Sequence, residues 1–371
     1  MRQASFSFIS ICLGLTLALL LLEGMLRFLP VNEGARPQAV GPDQPVRRLE
    51  PNRTFLWSKE WNFRIINTVR TNNYGFVNDQ DYITTSSSPL LALIGDSYVE
   101  ALMVPFSDTV AGRLATQTSP TERVYSFGTS SSALGNYLAY ADHAAKVFHP
   151  DAMAFIIIGN DFDESLLKYK NEPGHHYFVD DAVGTLALHR IDYRPSTWRT
   201  MIRNSALVRY LTLNTGILDT LLKWQHLPFG RLSDMSSFAG NTSTQSDQPR
   251  IADSERAVDA FLEKVSTMSK LPPDHILFVV DGIRPHLYHS STLQFVTGSY
   301  VDRMRRYFID QARERGFEVV DLQPRFSEHF STHQRRFEFQ TDNHWNALGH
   351  EVCADAIRQS SVYRQFQTLA R

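Results

Sequence analysis

The sequence contains little cysteine, no long basic run and no internal repeat. Its 371 residues include two cysteines, Cys12 and Cys353. Cys12 lies in an apolar N-terminal run and neither belongs to a Cys/His zinc spacing, so a disulfide framework and a zinc centre are not expected. The 37 Lys and Arg are matched by 39 Asp and Glu, with no basic block that would indicate a nucleic acid partner.

Histidine is present but not clustered. The 13 histidines are scattered, and His175, His176 and His350 lack a spaced set of carboxylate partners. The sequence therefore predicts no metal site and no cofactor.

The composition is that of a globular protein with a substantial core. Apolar residues make up 43% of the chain and charged residues 20%. The length predicts one large or two ordinary domains. We divide the chain into an N-terminal membrane anchor (1–29), a linker with a small β-rich, aromatic lead-in (30–89), and a main domain (90–371).

The N-terminal run is long enough to cross a bilayer. Residues Ala4 to Leu22 carry no charge, and Arg2 precedes them, which favours an N-terminus in the cytoplasm. A cleaved signal peptide is the alternative, but no small-residue cleavage site follows. With an uncleaved anchor or a cleaved signal, the rest of the chain is expected outside the cytoplasm, in the periplasm.

The main domain alternates between strands and helices, with one interruption. Strands are predicted at 90–94, 124–127, 152–158, 275–280 and 317–320, and helices at 109–117, 134–147, 257–269, 300–315 and from 348 onward. This alternation is typical of a parallel α/β sheet with right-handed crossovers. Residues 165–250 are predicted as an insertion or lid, with a hairpin at 177–186, a helix at 199–222 and a mobile polar stretch at 233–249.

Three motifs directly follow three of the predicted strands. They are Gly95-Asp96-Ser97, Gly128 and Gly159-Asn160-Asp161. Because equivalent ends of parallel strands meet at one edge of a sheet, and that edge binds ligands in α/β proteins, we expect the three motifs to be neighbours.

These residues have the chemistry that acyl transfer requires. Ser97 is the candidate nucleophile, His344 the base and Asp342 the acid that orients the imidazole. The backbone N–H groups of Ser97 and Gly128 and the side-chain amide of Asn160 are the candidate oxyanion hole.

With these blocks the chain resembles the SGNH, or GDSL-like, hydrolase superfamily of esterases, lipases, acetylxylan esterases and related acyltransferases. The resemblance spans about residues 90–358. It implies a flavodoxin-like three-layer α/β/α sandwich with a central parallel sheet, and it makes Ser97, Gly128, Asn160 and His344 the four name-giving positions. Asp342 stands two residues before His344, whereas many family members have three. The shorter spacing is similar to that of the periplasmic alginate O-acetylation proteins.

Five nearby residues are expected to have supporting roles. Asp96 and Asp161 are interpreted as structural residues of their turns, and Asp321 is a weaker competitor for the role of the acid. Arg284 and His286 follow the fourth strand, where packing is favoured over contact with a substrate.

The leading hypothesis is an exported, membrane-anchored serine esterase that cleaves O-acyl, in particular acetyl, esters. Its partners would be an acyl ester substrate such as an O-acetylated carbohydrate, and the membrane through the N-terminal helix. Two alternatives use the same pocket: an O-acyltransferase that modifies an envelope polysaccharide, and a catalytically silent glycan-binding module.

Overall fold

A computed structural model describes residues 2–116, 123–217, 238–239, 242–243, 247–288 and 293–369. The chain divides into two compact units, each built from three segments. The first takes residues 1–36, 54–69 and 195–230, and the second takes 37–53, 70–194 and 231–371. The division into an anchor, a lead-in and a main domain with an insertion stays a prediction.

The secondary structure is mixed. The strands are β1 (Thr54–Lys59), β2 (Ile65–Arg70), β3 (Leu90–Gly95), β4 (Arg123–Gly128), β5 (Ala152–Ile157), β6 (His176–Asp180), β7 (Leu186–Arg190), β8 (Phe238–Ala239), β9 (Thr242–Ser243), β10 (Ile276–Val280) and β11 (Glu318–Asp321). The helices are α1 (Arg2–Leu26), α2 (Ser97–Glu100), α3 (Val110–Ala115), α4 (Leu134–Val147), α5 (Thr197–Ile202), α6 (Ala206–Arg209), α7 (Gln248–Ser269), α8 (Pro285–Tyr288), α9 (Leu293–Val296), α10 (Tyr300–Glu314), α11 (Leu322–His333), α12 (Ala347–Arg358) and α13 (Ser361–Thr368). Short 3₁₀ turns lie at Phe106–Asp108 and Pro273–His275, and a π turn at Tyr210–Asn214.

The second unit is built on a five-stranded sheet in the order β11-β10-β5-β3-β4, and every pairing in it is parallel. Numbered along the chain, these five strands run 2-1-3-4-5, which is the flavodoxin-like order. The predicted α/β fold with a central parallel sheet is confirmed.

Helices cover both faces of this sheet. Along β3, Leu90, Ala92 and Ile94 face a core formed with α4, α7 and α10. Leu91 and Leu93 face the opposite core, formed with α3, α11, α12 and α13. The strand is buried on both faces, which is why its sequence is an unbroken apolar run.

The order of the strands creates a crevice at the centre of the sheet. The chain leaves β3 toward β4 on one side and then crosses to β5 on the other, so the direction of winding reverses at β3. In open α/β sheets ligands bind at the carboxyl ends of the strands at this point. Ser97 follows β3 and Asn160 follows β5, so both lie at this reversal.

Several predicted boundaries were wrong. Helix α7 begins at Gln248, inside the stretch expected to be mobile, because Asp247 caps it by accepting a hydrogen bond from the Arg250 N–H at 2.9 Å. Helix α11 was not predicted. The predicted hairpin exists, but its second strand continues to Arg190.

The helix predicted at 199–222 is broken into shorter pieces in the described part. The break falls before Ser205, whose side chain caps α6 through the Val208 N–H. Its end from 218 onward lies outside the described residues, as do residues 233–237, 240–241 and 244–246 of the stretch predicted to be mobile and residue 117 of the helix predicted at 109–117.

The first unit begins with α1. Among the described helices, only α1 is long and apolar enough to cross a membrane by length and composition, over Ser5–Leu26. Its last turn is held by the rest of the unit: the Glu23 carboxylate accepts hydrogen bonds from the Ser205 hydroxyl (2.7 Å) and the backbone N–H groups of Ala206 (3.1 Å) and Leu207 (2.9 Å). Leu26 packs in a small apolar cluster with Val31 and Ala206.

Candidate active site

Ser97 stands at the turn between β3 and α2. Asp96 caps this short helix, its Oδ1 accepting a hydrogen bond from the Tyr98 N–H at 2.8 Å. This is a contact of the kind expected for a structural turn residue, and the other carboxylate oxygen of Asp96 accepts a hydrogen bond from the Ser97 hydroxyl at 3.3 Å. The cap fixes the backbone around Ser97, whose half-buried side chain lies at the edge of the sheet.

His344 contacts Ser97 directly. Nε2 of His344 lies 2.8 Å from Oγ of Ser97, and Nδ1 of His344 is hydrogen-bonded to Oδ1 of Asp342. The Asp342 side chain is 1% exposed, whereas the His344 side chain is 18% exposed. The buried carboxylate also accepts the His344 backbone N–H at 2.9 Å. Serine, imidazole and carboxylate thus form one continuous hydrogen-bonded chain.

The loop that holds Asp342 and His344 is fixed at its C-terminal end. Asn346 caps α12 by accepting from the N–H groups of Leu348 (3.0 Å) and Gly349 (3.1 Å), and its amide donates to the carbonyls of Arg336 and Glu338. Hydrogen bonds between the Asn346 side chain and backbone groups therefore hold this end of the loop.

A buried arginine, Arg284, also holds this loop. Arg284 donates to both carboxylate oxygens of Asp281 at 2.6 Å, to Glu338 at 3.2 Å, to the Tyr98 hydroxyl at 3.2 Å and to the Asn343 carbonyl at 3.0 Å. The Tyr98 hydroxyl also donates to the Asn343 carbonyl at 3.0 Å. We call these five residues the Arg284 cluster. Two of its members bind the backbone between the candidate acid and base, so the cluster sets their position relative to Ser97.

Aromatic rings complete the support. The ring centroid of Tyr98 lies 5.0 Å from that of the His344 imidazole and 4.9 Å from that of Trp345, which it meets edge-on. The Trp345 indole N–H donates to Asp281 at 3.1 Å. The imidazole is thus packed against a side chain that the Arg284 cluster itself holds.

Asn160 is oriented by a carboxylate. Its Nδ2 donates to Oε2 of Glu164 at 3.1 Å, and the same oxygen accepts from Lys170 at 2.5 Å. Asp161 closes the preceding turn by accepting the Ile158 N–H at 2.7 Å, as predicted. The Asn160 amide group is therefore held rather than free to rotate.

Gly128 is required by packing between strands. It is paired with Gly95 across β3 and β4, and a Cβ at Gly128 would lie 2.9 Å from the Asp96 carbonyl oxygen and from Cβ of Val99. The absence of a side chain here lets the two strand ends meet beside Ser97.

Burial raises the pKa of two carboxyls at the site. Burial raises the pKa of Asp96 to about 6, although the Tyr98 N–H and the nearby His344 oppose the shift. Burial, together with the charge of Asp96, raises the pKa of Asp161 well above its ordinary value. Where Asp96 is ionised, its charge therefore disfavours ionisation of Asp161.

The remaining sequence candidates lie in other contacts. Asp321 pairs with Arg305 and caps α11, so the carboxylate that contacts His344 is Asp342. His286 has its pKa lowered by burial and contacts Gln323 at 3.5 Å.

The three histidines weighed as metal ligands are buried. Burial lowers the pKa of His175 to about 2, of His176 to about 4 and of His350 to about 3. Within the described ranges, no group of three or more His, Cys, Asp or Glu side chains is arranged to hold a metal ion.

Sequence reasoning missed the Arg284 cluster and the Glu164 contact. Asp281 follows β10 directly, and Arg284 lies three residues later, which was the available signal. Nothing in the sequence joins them to Tyr98, Glu338 or Asn343, because the fold brings these residues together from distant segments.

Similarity to known proteins is found in structure and not in sequence. No protein-family model matches the sequence, and no curated protein matches it. Among solved structures, a member of the lipolytic G-D-S-L family from Veillonella parvula is similar at 10% identity, covering 72% of this chain and 94% of that one, with a TM-score of 0.37. A catalytic mutant of an acetylxylan esterase from Geobacillus stearothermophilus matches at 14% identity, 76% and 96% coverage, and a TM-score of 0.40. A lipase/acylhydrolase from Enterococcus faecalis matches at 10% identity, 76% and 96% coverage, and 0.38.

Proposed function

We propose that this protein is a serine esterase that cleaves O-acyl esters through Ser97, His344 and Asp342. The observation that supports this most is the 2.8 Å contact between Oγ of Ser97 and Nε2 of His344, with Asp342 bound to the other ring nitrogen. A serine hydroxyl is a weak nucleophile until a base removes its proton, and the imidazole is placed to do so.

The steps follow from this arrangement. Oγ of Ser97 attacks the acyl carbonyl while Nε2 of His344 takes the hydroxyl proton, and Asp342 stabilises the imidazolium that forms. The imidazolium then gives the proton to the departing alcohol, leaving an acyl group on Ser97. Water, activated by the same histidine, attacks this acyl-enzyme and releases the acid.

Three donors are proposed for the oxyanion: the N–H groups of Ser97 and Gly128 and the side chain of Asn160. An amide nitrogen has two N–H groups, and Glu164 accepts from Nδ2 of Asn160. The other N–H is the one we assign to the oxyanion. Such a preorganised donor lowers the energy of the transition state more than that of the bound ester.

The second candidate function is acyl transfer. It is favoured by the spacing of Asp342 and His344, which resembles that of the periplasmic alginate O-acetylation proteins. The chemistry differs in a single step, since a sugar hydroxyl in place of water attacks the acyl-enzyme. We propose an acetylated carbohydrate as the ester that is cleaved in hydrolysis, or as the product that is formed in transfer.

We further propose that α1 is an uncleaved anchor and that the rest of the chain lies outside the cytoplasm. Arg2 before the apolar run supports this orientation. The contacts of Glu23 and Leu26 with residues 205–207 support retention, because cleavage after the apolar run would remove a turn that the folded unit uses.

The test uses the full chain in detergent with p-nitrophenyl acetate and an acetylated polysaccharide, with and without an acceptor glycan. We expect release of acetate, with transfer to the glycan as the signature of the second function. Ser97→Ala and His344→Ala should each lose nearly all of this activity, and the double variant should be little worse than either, because the two residues act as a unit. Binding of the glycan without release or transfer of acetate would instead indicate the silent binding module.

A further inference from the structure

The first unit exposes large aromatic and apolar side chains around the end of α1. Phe28 is 91% exposed, Trp61 69%, Trp198 66% and Met201 67%. Leaving α1 aside, the exposed Trp and Phe side chains of the described part all belong to this unit. An apolar surface of this kind indicates a partner.

Phe28 and Trp61 are connected to the last turn of α1 by a short stretch of chain or by a few contacts. Phe28 lies two residues after Leu26. The Trp61 carbonyl accepts from the Tyr210 hydroxyl at 2.8 Å, and the Tyr210 ring packs against Phe63, which contacts the apolar cluster around Leu26.

The exposed side chains of helix α5 also lie close in the chain to residues that contact the last turn of α1. Trp198 and Met201 lie on α5, which ends three residues before Ser205, and the Ser205 hydroxyl donates to Glu23. The guanidinium of Arg27 reaches the Asn204 carbonyl at 3.4 Å. The exposed side chains are therefore grouped where the apolar helix ends.

The charge of this region is unlike that of the whole chain. From Glu23 onward the described residues of the first unit hold seven Lys and Arg against three Asp and Glu, whereas the complete chain has a net charge of −2. Arg64 and Arg203 are exposed, three residues after Trp61 and two residues after Met201 in the chain. Basic residues beside exposed Trp and Phe match an interface of anionic lipid headgroups over acyl chains.

We propose that this surface, formed by Phe28, Trp61, Trp198 and Met201, lies in the headgroup region of an anionic bilayer. The inference rests on the proposed anchor: α1 would bring this surface to the membrane, and the contacts of Glu23 and Leu26 would hold it there. The amphipathic rings of Trp61 and Trp198 suit the interface, where one side is apolar and the other is wet. The partner is thus the lipid surface.

The test places the full chain in vesicles of phosphatidylcholine and phosphatidylglycerol whose acyl chains are brominated either near the headgroup or deeper. Tryptophan emission is quenched on contact with bromine. We expect stronger quenching by the shallow bromine, a loss of part of the quenched emission in Trp61→Phe and in Trp198→Phe, and the sum of these losses in the double variant. Trp57→Phe is the matched control, since Trp57 is only partly exposed in the same unit, and it should leave the quenched emission unchanged.

Flotation of the vesicles separates the possible failures. If the chain floats but Trp61→Phe and Trp198→Phe quench like the parent chain, the surface lies off the bilayer and the proposal is wrong, although the anchor stands. If the chain does not float, the anchor and the surface are both contradicted. Neither measurement depends on esterase activity, so failure of the esterase proposal would be seen separately.

Discussion

Asn160 is the candidate donor whose contribution is easiest to isolate. Asn160→Ala should lower kcat by about 10²–10³ with KM nearly unchanged, because an oxyanion donor acts mainly in the transition state. Glu164→Gln is the matched control. Its side-chain oxygen still accepts from Nδ2 of Asn160, so kcat should fall much less in this variant than in Asn160→Ala. Steady-state kinetics on p-nitrophenyl acetate would measure both. A raised KM with constant kcat in Asn160→Ala would make it a binding residue instead.

The buried carboxyl of Asp96 should make stability depend on pH. Burial raises its pKa from 3.8 to about 6, so the folded chain binds this proton more tightly than the unfolded chain does. The free energy of unfolding should therefore fall as pH rises from about 4 to about 6. The full effect, reached above about pH 6, is about 3 kcal/mol.

Asp96→Asn tests this, since its side-chain oxygen can still cap the Tyr98 N–H. The variant should match the parent chain near pH 4 and be more stable at pH 7 by up to about 3 kcal/mol in urea denaturation. Asp43→Asn, at an exposed carboxyl, should follow the parent chain throughout. A difference for Asp96→Asn that stays constant across the range would refute the linkage.

The loop between Asp342 and Asn346 depends on the Arg284 cluster. Tyr98→Phe removes a hydrogen bond to the Asn343 carbonyl and leaves no buried charge unpaired, so stability should fall by only about 1 kcal/mol. Activity should fall further, by up to about 10²-fold in kcat, because a small displacement of His344 from Ser97 is costly.

Arg284→Met should be more severe. Asp281 loses its cation and Glu338 keeps only the partly exposed Arg336, and breaking a buried pair costs about 3–5 kcal/mol. Arg336→Met is the control, since Arg336 binds the same Glu338 but its side chain is 48% exposed. Thermal unfolding and steady-state kinetics would show whether Arg284→Met has a larger effect than Tyr98→Phe and Arg336→Met. If Arg336→Met and Tyr98→Phe had equal kinetic effects, the cluster would have no special role in placing the loop.

The elements that the sequence predicts best are those whose signal is local. Strand β3 is an unbroken apolar run ending in glycine, and helix α4 matches its predicted bounds because its apolar spacing is regular. Since strand ends of one kind share one edge, the pattern of strands alone was enough to place the motifs at Ser97, Gly128 and Asn160 together.

What depends on distant contacts could not be predicted. The charged and aromatic residues of α11 give a weak helical pattern, and the helix is stabilised by Asp321 at its start and by burial of Leu322 and Phe326. At Gly128 the structure shows a close approach of two strand ends, a contact that the sequence does not reveal. Such causes appear only once the chain is folded.

The whole chain is proposed to be an exported enzyme on a membrane anchor. The uncharged run of α1 from Ala4 to Leu22 spans about 28 Å, close to the thickness of a hydrocarbon core. A C-terminal alkaline phosphatase fusion to the full chain should be active and should stay with the membrane fraction after washing. A soluble, shortened product would refute the anchor, and an inactive fusion would refute the orientation.

The central claim, that Ser97 is a nucleophile activated by His344, is tested most directly by covalent labelling. A p-nitrophenyl phosphonate incubated with the full chain should add one phosphonyl group, located on Ser97 by peptide mass spectrometry. His344→Ala should slow the labelling strongly, and Ser97→Ala should abolish it. Ser130 is the matched control, because it follows the neighbouring strand β4 but binds the Glu100 carboxylate instead of an imidazole, so Ser130→Ala should label like the parent chain. Undiminished labelling and esterase activity in Ser97→Ala would contradict the proposed mechanism.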